Sequence, residues 1–336
     1  MNPERILAIQ VTRIGDTLLV VPSLRALAEH FPAAQIDVLG HPQRAEVLQN
    51  LPFLHRVGSI TKRSAPWRGH TGRAYDLAVV WGQDSALVRY ALRQADEVVA
   101  CTQKDAALNR RLKAAVTLPS DRELPLSHWQ LQLLELGLGI STEQRHVEVA
   151  LSAAEIAWAQ DYRRRLAAPG PLVGIVLETF PTSTHRNWPI EHFARCLQLL
   201  EEQVASLQVI VLGQNLAQDK IAVLRQRLGG RLHLGAGLSL RQSMALIAHL
   251  DLYLGLDTGP SHIASALPVP SVCLFHCMRR GPLVLSPRYP ERLIMIEHPT
   301  PSAACSFALD MSAISPEQVF AACWQQLQKY PWPTSC

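Results

Sequence analysis

Leu254–Leu267, which reads LGLDTGPSHIASAL, is the stretch around which the rest of the chain is organised. The apolar run at residues 250–256 predicts a buried strand, which ends abruptly in polar residues. The small apolar residues that follow, 263–267, favour a helix packed on a sheet. This order places polar groups at the carboxyl edge of a parallel sheet, where open α/β sheets bind their ligands. The free N–H groups and the dipole at the helix start suit a phosphate.

The same turn has a simpler interpretation as an ordinary helix start. Asp257 or Thr258 can cap the first turn, and Pro260 is typical of that position. An isolated Asp-Thr supports both interpretations equally, so the remaining chain has to decide.

Length and composition describe a globular protein of two domains. A chain of 336 residues is too long for one ordinary core, and it contains 48% hydrophobic and 18% charged residues. The net charge of +4 is too small for a nucleic-acid partner but is compatible with an acidic substrate or an anionic membrane surface. The N-terminus lacks the features of a signal peptide, and no run reaches the roughly 18 apolar residues of a spanning helix. We therefore expect a cytoplasmic protein.

Seven cysteines are scattered along the chain. In a cytoplasmic protein an odd number predicts reduced thiols, which pack as small apolar side chains. Cys273, His276 and Cys277 are close in sequence, and Cys305 follows later. Their spacing matches no standard zinc pattern, so we predict no metal, and the role of this loop stays open.

Strand-like and helix-like segments alternate in both halves, which predicts two parallel sheets covered by helices on both faces. The helical segment 152–168 ends at Ala167–Pro171, the best candidate for a linker. The clearest strands are predicted at residues 5–11, 35–40, 77–81, 172–177, 208–212, 232–234, 250–256 and 271–275, and helices at 127–138, 190–205, 219–228, 240–248 and 316–328.

Two further turns join a strand to a helix and carry reactive groups. Gly15 and Asp16 follow the first strand, where the carboxylate is either a first-turn acid or a general base. This loop is neither a Gly-x-Gly-x-x-Gly fingerprint nor a P-loop, so a dinucleotide site is not supported. Residues 179–189, which read TFPTSTHRNWP, offer hydroxyls, a guanidinium and a helix start to a pyrophosphate.

Two basic groups lie in the first half of the chain. They form either solvated loops or a rim that contacts an anionic acceptor or membrane headgroups. The first group is Lys62, Arg63, Arg68, His70 and Arg73 with Trp67, and the second is Lys104, Arg110, Arg111 and Lys113.

Together these motifs resemble the ADP-heptose:lipopolysaccharide heptosyltransferases, glycosyltransferase family 9, which have the GT-B fold. The Asp-Thr-Gly-Pro-x-His motif after a buried strand is specific, and the early Gly-Asp is informative in combination with it. The matching residues are Arg13-Ile14-Gly15-Asp16 with Thr17-Leu18 and Pro22-Ser23-Leu24, Arg186-x-Trp188-Pro189 with Phe193, Leu254-Gly255, Asp257-Thr258-Gly259-Pro260-x-His262-x-Ala264, Pro270-Ser271-Val272 and Leu274-Phe275.

The resemblance implies two doubly wound, Rossmann-like α/β domains that face a central cleft. Residues 1–168 would bind the acceptor and residues 169–336 the nucleotide-sugar donor, and the last helix is a candidate to pack back on the N-terminal domain. The implied reaction is inverting transfer of heptose from ADP-L-glycero-D-manno-heptose to a hydroxyl of the lipopolysaccharide core, without metal or cofactor. Because that acceptor is a glycolipid, peripheral contact with the cytoplasmic face of the inner membrane is a further expectation.

The resemblance also assigns roles to single residues. Asp16 matches the catalytic carboxylate that takes the proton from the acceptor hydroxyl. Arg186 stands where the family often has lysine, and as the second catalytic group it would neutralise the leaving diphosphate. The residues expected to bind the substrates are Arg13, Gly15, Thr182, Ser183, Thr184, Asn215, Asp257, Thr258, Gly259 and His262.

Two departures from the family pattern leave the substrates open. Gly213-Gln214-Asn215 stands where family members often carry an acid for the nucleoside ribose, so Gln214, Asn215 or Asp219 would serve here. After Phe275 the chain reads HCMRRGP in place of Gly-x-Thr-x-Pro. The alternative is therefore a family member with another nucleotide-sugar donor or a non-lipopolysaccharide acceptor. A non-catalytic binding protein would not need the base, and a nicotinamide-dependent dehydrogenase would need the absent glycine fingerprint.

Overall fold

The computed structural model describes residues 2–69, 72–118, 124–166, 170–214 and 216–332. The chain divides into two compact units, Met1–Ala150 and Leu151–Cys336. Each unit is a parallel sheet with helices, which confirms the predicted α/β class. The boundary predicted between residues 168 and 169 lies outside the described residues.

The N-terminal unit contains one parallel sheet of six strands in the order β3-β2-β1-β4-β5-β6. Residues Ile6–Ile9 are completely buried, as expected for a strand covered on both faces. The strands are β1 (Arg5–Gln10), β2 (Gln35–Gly40), β3 (Arg56–Ser59), β4 (Tyr75–Val80), β5 (Ala95–Cys101) and β6 (Ala114–Val116). The helices are α1 (Ile14–Leu18), α2 (Val21–His30), α3 (Ser85–Gln94), α4 (Ala106–Asn109) and α5 (Leu126–Leu138).

The C-terminal unit repeats this plan with a second six-stranded parallel sheet. The strands are β7 (Leu172–Ile175), β8 (Gln208–Leu212), β9 (Leu232–Gly235), β10 (Leu252–Leu256), β11 (Ser271–Phe275) and β12 (Leu293–Glu297). The helices are α6 (Ala153–Arg165), α7 (Ile190–Gln203), α8 (Gln218–Leu228), α9 (Leu240–Ile247), α10 (Gly259–Ser265), α11 (Gly281–Val284) and α12 (Pro316–Lys329).

Both sheets have the strand order of a doubly wound fold. Within each unit the strands run third, second, first, fourth, fifth and sixth in chain order. The order reverses between β1 and β4 in one sheet and between β7 and β10 in the other. Ligands of such folds bind beyond the carboxyl ends of the strands at this reversal, so the loops after these strands are the places to look for a site.

Helix α6 belongs to the C-terminal unit. Ser152 begins it with a capping box in which the hydroxyl and Glu155 satisfy each other's backbone N–H groups. Both oxygens of Glu155 accept from the buried Arg241 of α9 at 2.7 Å. Near the other end, Arg163 donates to the buried Asp251 at 2.5 Å. These ion pairs fix α6 to the second sheet's helices and loops.

Helix α12 packs on α7 and on strands β10 and β11 of its own unit. Its buried face includes Val319, Cys323 and Leu327, which join the core of the C-terminal unit. Ser315 caps it through the N–H of Gln318 at 3.2 Å. Packing of this helix on the N-terminal unit stays a prediction.

Candidate active site

Asp16 lies at the strand reversal of the N-terminal sheet, in the first turn of α1 directly after β1. Its Oδ2 accepts a hydrogen bond from the Thr12 hydroxyl at 3.0 Å, and the side chain is half-buried. Arg44 donates to the carbonyl of Thr12 at 3.1 Å and so ties this loop down. Arg13 is the residue at the helix cap and makes no side-chain capping bond. The Asp16 carboxylate is therefore a first-turn acid that is oriented by a hydrogen bond and reachable by solvent. This position is compatible with a structural role at the helix start and with a role as general base.

Arg186 and Asp257 form a buried ion pair at the reversal of the C-terminal sheet. Arg186 follows β7, Asp257 follows β10, and the two strands are neighbours. Nη1 of the arginine contacts both the Asp257 carboxylate and, at 3.3 Å, its carbonyl oxygen. The exposed fractions of the two side chains are 9% and 5%. The fold thus brings together two of the residues that the sequence analysis had selected 71 positions apart.

The start of α10 is not capped by a side chain, so the predicted cap by Asp257 or Thr258 is wrong, whereas Pro260 lies in the first turn as predicted. Asp257 is engaged by Arg186, and the Thr258 hydroxyl donates to the carbonyl of Leu256 at 3.3 Å. Gly259 is the first residue of α10, and His262 is buried within it. The Asp257 carboxylate is therefore held by a contact distant in the chain, and the Thr258 hydroxyl by a local one.

Tyr253 and Ser261 form a buried network beneath this turn. The Tyr253 hydroxyl lies 3.0 Å from the Ser261 hydroxyl, which donates to the carbonyl of Leu256. Complete burial raises the pKa of Tyr253 well above its usual range. A Cβ atom at Gly255 would lie 2.3 Å from the Tyr253 hydroxyl oxygen. The Tyr253 ring therefore leaves no room for a side chain at Gly255, which explains the glycine at this position of the motif.

The hydroxyl-rich loop before α7 is held by its own hydrogen bonds. The Thr179 hydroxyl lies 2.7 Å from the carbonyl oxygen of Ser183 and 2.8 Å from Oδ1 of Asn187, and it can donate its one proton to either. The segment Pro181–Arg186 forms two short 3₁₀ turns with a kink at Ser183, whose backbone is not helical. Thr182 and Thr184 are exposed there, whereas Ser183 is half-buried. Two hydroxyls are therefore available to a ligand beside the buried arginine.

Three residues, Gln214, Asn215 and Asp219, were predicted to contact the nucleoside. Asn215 lies outside the described residues, and Gln214 and Asp219 are exposed. Glu178 was not among the predicted residues, and it follows β7 and pairs with Lys220 of α8 at 2.8 Å. Its position, an acid directly after a buried strand, is the sequence feature that could have identified Glu178 as a candidate site residue.

The Cys–His loop after β11 contradicts one sequence prediction. Cys277 and Cys305 are joined in a disulfide, so the expectation of reduced thiols is wrong for this pair. The chain separation of 28 residues hid their proximity. The ring of His276 contacts that of His185 edge to face, with centroids 5.0 Å apart. Cys101, Cys196, Cys273 and Cys323 are buried free thiols, as predicted, and Cys336 lies outside the described residues.

The basic groups of the N-terminal unit are partly engaged in surface ion pairs. Lys62 pairs with Asp84 at 2.9 Å, and Arg73 pairs with Asp96 at 2.9 Å. Trp67 has an exposed fraction of 85% beside them. His70 lies outside the described residues. Within the described ranges, no helix is long and apolar enough to cross a membrane.

Comparison with known proteins agrees with this fold over nearly the whole chain. Lipopolysaccharide heptosyltransferase 3 of Escherichia coli K12 is 25% identical over 283 residues, which cover 78% of this chain and 79% of that protein. The structure of a family 9 glycosyl transferase from Veillonella parvula DSM 2008 has a TM-score of 0.82 at 16% identity and covers 97% of this chain and 98% of its own. E. coli ADP-heptose lps heptosyltransferase II has a TM-score of 0.78 at 20% identity, with coverage of 97% and 99%.

Two doubly wound units with polar groups at their strand reversals are the architecture of the GT-B fold. The model of glycosyltransferase family 9 (heptosyltransferase) matches residues 72–285, and the chain belongs to this family. The matched stretch contains Arg186 and the motif Asp257–His262 and ends beyond β11. Asp16 precedes it, so the role of that residue rests on its own geometry.

Proposed function

We propose that the protein is an inverting heptosyltransferase that moves heptose from ADP-L-glycero-D-manno-heptose to a hydroxyl of the lipopolysaccharide core. Family membership supports a sugar transferase, and similarity to lipopolysaccharide heptosyltransferase 3 and to ADP-heptose lps heptosyltransferase II supports this donor and acceptor. The single observation that carries the proposal is the Arg186–Asp257 pair at the strand reversal of the C-terminal sheet.

Asp16 is the general base in this proposal. Its carboxylate accepts the proton of the acceptor hydroxyl while that oxygen attacks the anomeric carbon of the donor. Attack on the face opposite the leaving diphosphate inverts the configuration. The hydrogen bond from Thr12 supports this role, because it orients one carboxylate oxygen without neutralising the charge. A positioned base of this kind contributes roughly 10²–10⁴-fold to the rate.

Arg186 stabilises the negative charge of the leaving diphosphate. Its guanidinium has five N–H donors in a fixed fork, whereas lysine has one compact charged head. The contacts with Asp257 are made through Nη1, so an arginine can pair with that carboxylate and present further donors to a phosphate. The exposed hydroxyls of Thr182 and Thr184 add acceptor and donor groups nearby. The positive charge of Arg186 and hydrogen bonds from the two hydroxyls take the place of a catalytic metal in this scheme.

The remaining substrate contacts stay predictions. Asp257 is proposed to hold the sugar while Arg186 fixes its carboxylate. The C-terminal unit would bind the donor and the N-terminal unit the acceptor. The other residues proposed for substrate binding are Arg13, Gly15, Ser183, Asn215, Thr258, Gly259 and His262.

Peripheral contact with the cytoplasmic face of the inner membrane is part of the proposal. Trp67 is exposed and is flanked by Lys62, Arg63 and Arg68. Tryptophan suits the headgroup level of a bilayer, and basic side chains attract anionic lipids. A glycolipid acceptor would be reached from such a position.

The test is transfer from ADP-heptose to a panel of truncated lipopolysaccharide cores, read by mass spectrometry of the products. A product heavier by one heptose residue is expected with one of the cores. The alternative, another donor or another class of acceptor, is favoured by the basic loop His276–Pro282. Faster transfer from a different nucleotide sugar, or transfer only to a non-lipopolysaccharide acceptor, would establish that alternative and contradict the proposal.

A further inference from the structure

His276, Cys277 and Cys305 form a compact cluster that the proposed reaction does not use. His276 and Cys277 directly follow β11, and Cys305 lies between β12 and α12. The imidazole Nδ1 is 3.7 Å from the Cys277 sulfur and 3.9 Å from the Cys305 sulfur. All three potential ligand atoms lie within 4.8 Å of one another. In a tetrahedral zinc site with Zn–S of about 2.3 Å and Zn–N of about 2.0 Å, nitrogen and sulfur are about 3.5 Å apart.

The imidazole of His276 is oriented for ligation through Nδ1. Its Nε2 lies 3.0 Å from the carbonyl oxygen of Leu309, which can only accept, so Nε2 carries the proton. The lone pair is therefore on Nδ1, on the side of the two sulfurs. Metal-binding histidines are typically held by such a bond from the other ring nitrogen. The N–H of Met278 donates to Nδ1 at 3.2 Å, and a metal ion would replace that bond.

We propose that His276, Cys277 and Cys305 bind one thiolate-preferring divalent metal ion, with Zn²⁺ as the probe, when the two cysteines are reduced. Two thiolates and an imidazole are the ligands that zinc takes in proteins, whereas magnesium and calcium take oxygen ligands. The disulfide of the structure is the other state of the same site. Tetrahedral coordination leaves a fourth position for water, which can enter from a cavity of about 330 Å³ lined by His276 and Cys277 among others.

Conversion of the disulfide to the metal-bound state needs a reductant and releases two protons. A dithiol reductant cleaves the Cys277–Cys305 bond, gives two cysteine thiols and is itself oxidised to a disulfide. Zn²⁺ then binds the two sulfurs and displaces their two protons to water, while neutral His276 adds its lone pair without losing a proton. Metal and disulfide therefore exclude each other.

The site joins the loops that follow two neighbouring strands at the carboxyl edge of the sheet. The His276 ring packs against that of His185, which directly precedes Arg186. A metal that fixes His276 would also restrain the segment leading to the arginine. This consequence rests on the proposed function, whereas the binding of metal does not.

The test is titration of the full-length protein with Co²⁺ and Zn²⁺ after reduction by a phosphine and removal of the reductant without oxygen. We expect one Co²⁺ per chain, with thiolate-to-cobalt charge-transfer absorption that Zn²⁺ abolishes. Cys277→Ala and Cys305→Ala should each lower the affinity at least about tenfold. Cys101→Ala removes a buried free thiol of the other unit and should change neither stoichiometry nor spectrum.

A measurement on the unaltered chain keeps the proposal testable if a variant does not fold. Zn²⁺ should protect Cys277 and Cys305 of the reduced protein from alkylation, as seen by peptide mass spectrometry. Reduced protein without a stoichiometric cobalt complex, or alkylation of both cysteines at an unchanged rate, overturns the metal site. No substrate is present in either experiment, so the outcome is independent of heptose transfer.

Discussion

At the residue scale, Asp16 is the sharpest test of the mechanism. Asp16→Asn keeps the shape of the side chain and removes its ability to accept a proton. We expect kcat to fall by about 10²–10⁴-fold, because the base contributes to the transition state, with little change in the KM of the donor. The measurement is steady-state transfer from ADP-heptose, together with thermal unfolding to confirm the fold.

Asp96→Asn is the matched control for that variant. Asp96 makes a surface pair with Arg73, in which the two side chains have exposed fractions of 54% and 58%. Its loss should leave kcat within about twofold, because exposed pairs of this kind contribute little. An Asp16→Asn enzyme as fast as this control would remove Asp16 from the mechanism.

The Arg186–Asp257 ion pair can be tested through the stability of the protein. Arg186→Gln or Asp257→Asn leaves the other charge buried and unpaired, so each should lower the free energy of unfolding by about 3–5 kcal/mol. The double variant should lose less than the sum, with a coupling free energy of about 0.5–3 kcal/mol. Urea unfolding of the four proteins measures this cycle.

The exposed Arg73–Asp96 pair provides the corresponding control cycle, with Arg73→Gln and Asp96→Asn. Its coupling should be below about 1 kcal/mol. Equal coupling in the two cycles would mean that Arg186 and Asp257 are solvated and would weaken their proposed role in a dry donor site.

At the scale of elements, continuous apolar runs made the central strands predictable. Predicted strands at 208–212 and 271–275 match β8 and β11 residue for residue, since both are buried throughout. Strand β12 was missed, although it is apolar, because it is a half-buried strand at the edge of the sheet. Helix α3 was missed because its start depends on one capping residue, Asp84, whose carboxylate accepts from two backbone N–H groups.

Helix α6 shows how an ion pair couples an element to pH. Hydrogen bonds from Arg241 lower the pKa of Glu155 from 4.5 to about 2. Because the folded pKa is depressed, the stabilisation is complete above about pH 4.5 and is lost as the pH falls towards 2. Glu155→Gln should therefore lower the free energy of unfolding by about 1–2 kcal/mol at neutral pH, since the side chain keeps 22% of its surface exposed.

The difference between wild type and Glu155→Gln should shrink steadily as the pH falls below 4.5. Urea unfolding at a series of pH values measures it. Glu143→Gln, at an exposed position, should behave as wild type at every pH. A difference that is constant from pH 7 to pH 3 would show that packing, and not the charge of Glu155, holds the helix.

At the scale of the whole molecule, the sequence predicted the two α/β units but not every contact at their strand reversals. The Asp257 turn was located because strand, polar residues and helix are consecutive in the chain. Its pairing with Arg186 and the joining of Cys277 to Cys305 depend on which strands are neighbours, and local patterns do not contain that information. The boundary between the units also depends on contacts distant in the chain. Helix α6 belongs to the C-terminal unit because its partners lie there, although the Pro-Gly segment that suggested a linker comes after it.

That assignment predicts the behaviour of separated fragments. A fragment of residues 151–336 retains α6 with its two ion pairs, to Arg241 and to Asp251, and should unfold cooperatively. A fragment of residues 169–336 loses both partners and leaves two buried charges unpaired. Its free energy of unfolding should be lower by about 3 kcal/mol, the lower end of the cost of breaking a buried pair, because loss of α6 also admits water.

Urea unfolding followed by circular dichroism compares the two C-terminal fragments. Residues 1–150 and 1–168 form the control pair, and these two fragments should be equally stable. If the fragment of residues 169–336 were as stable as the longer one, α6 would not be part of the C-terminal core.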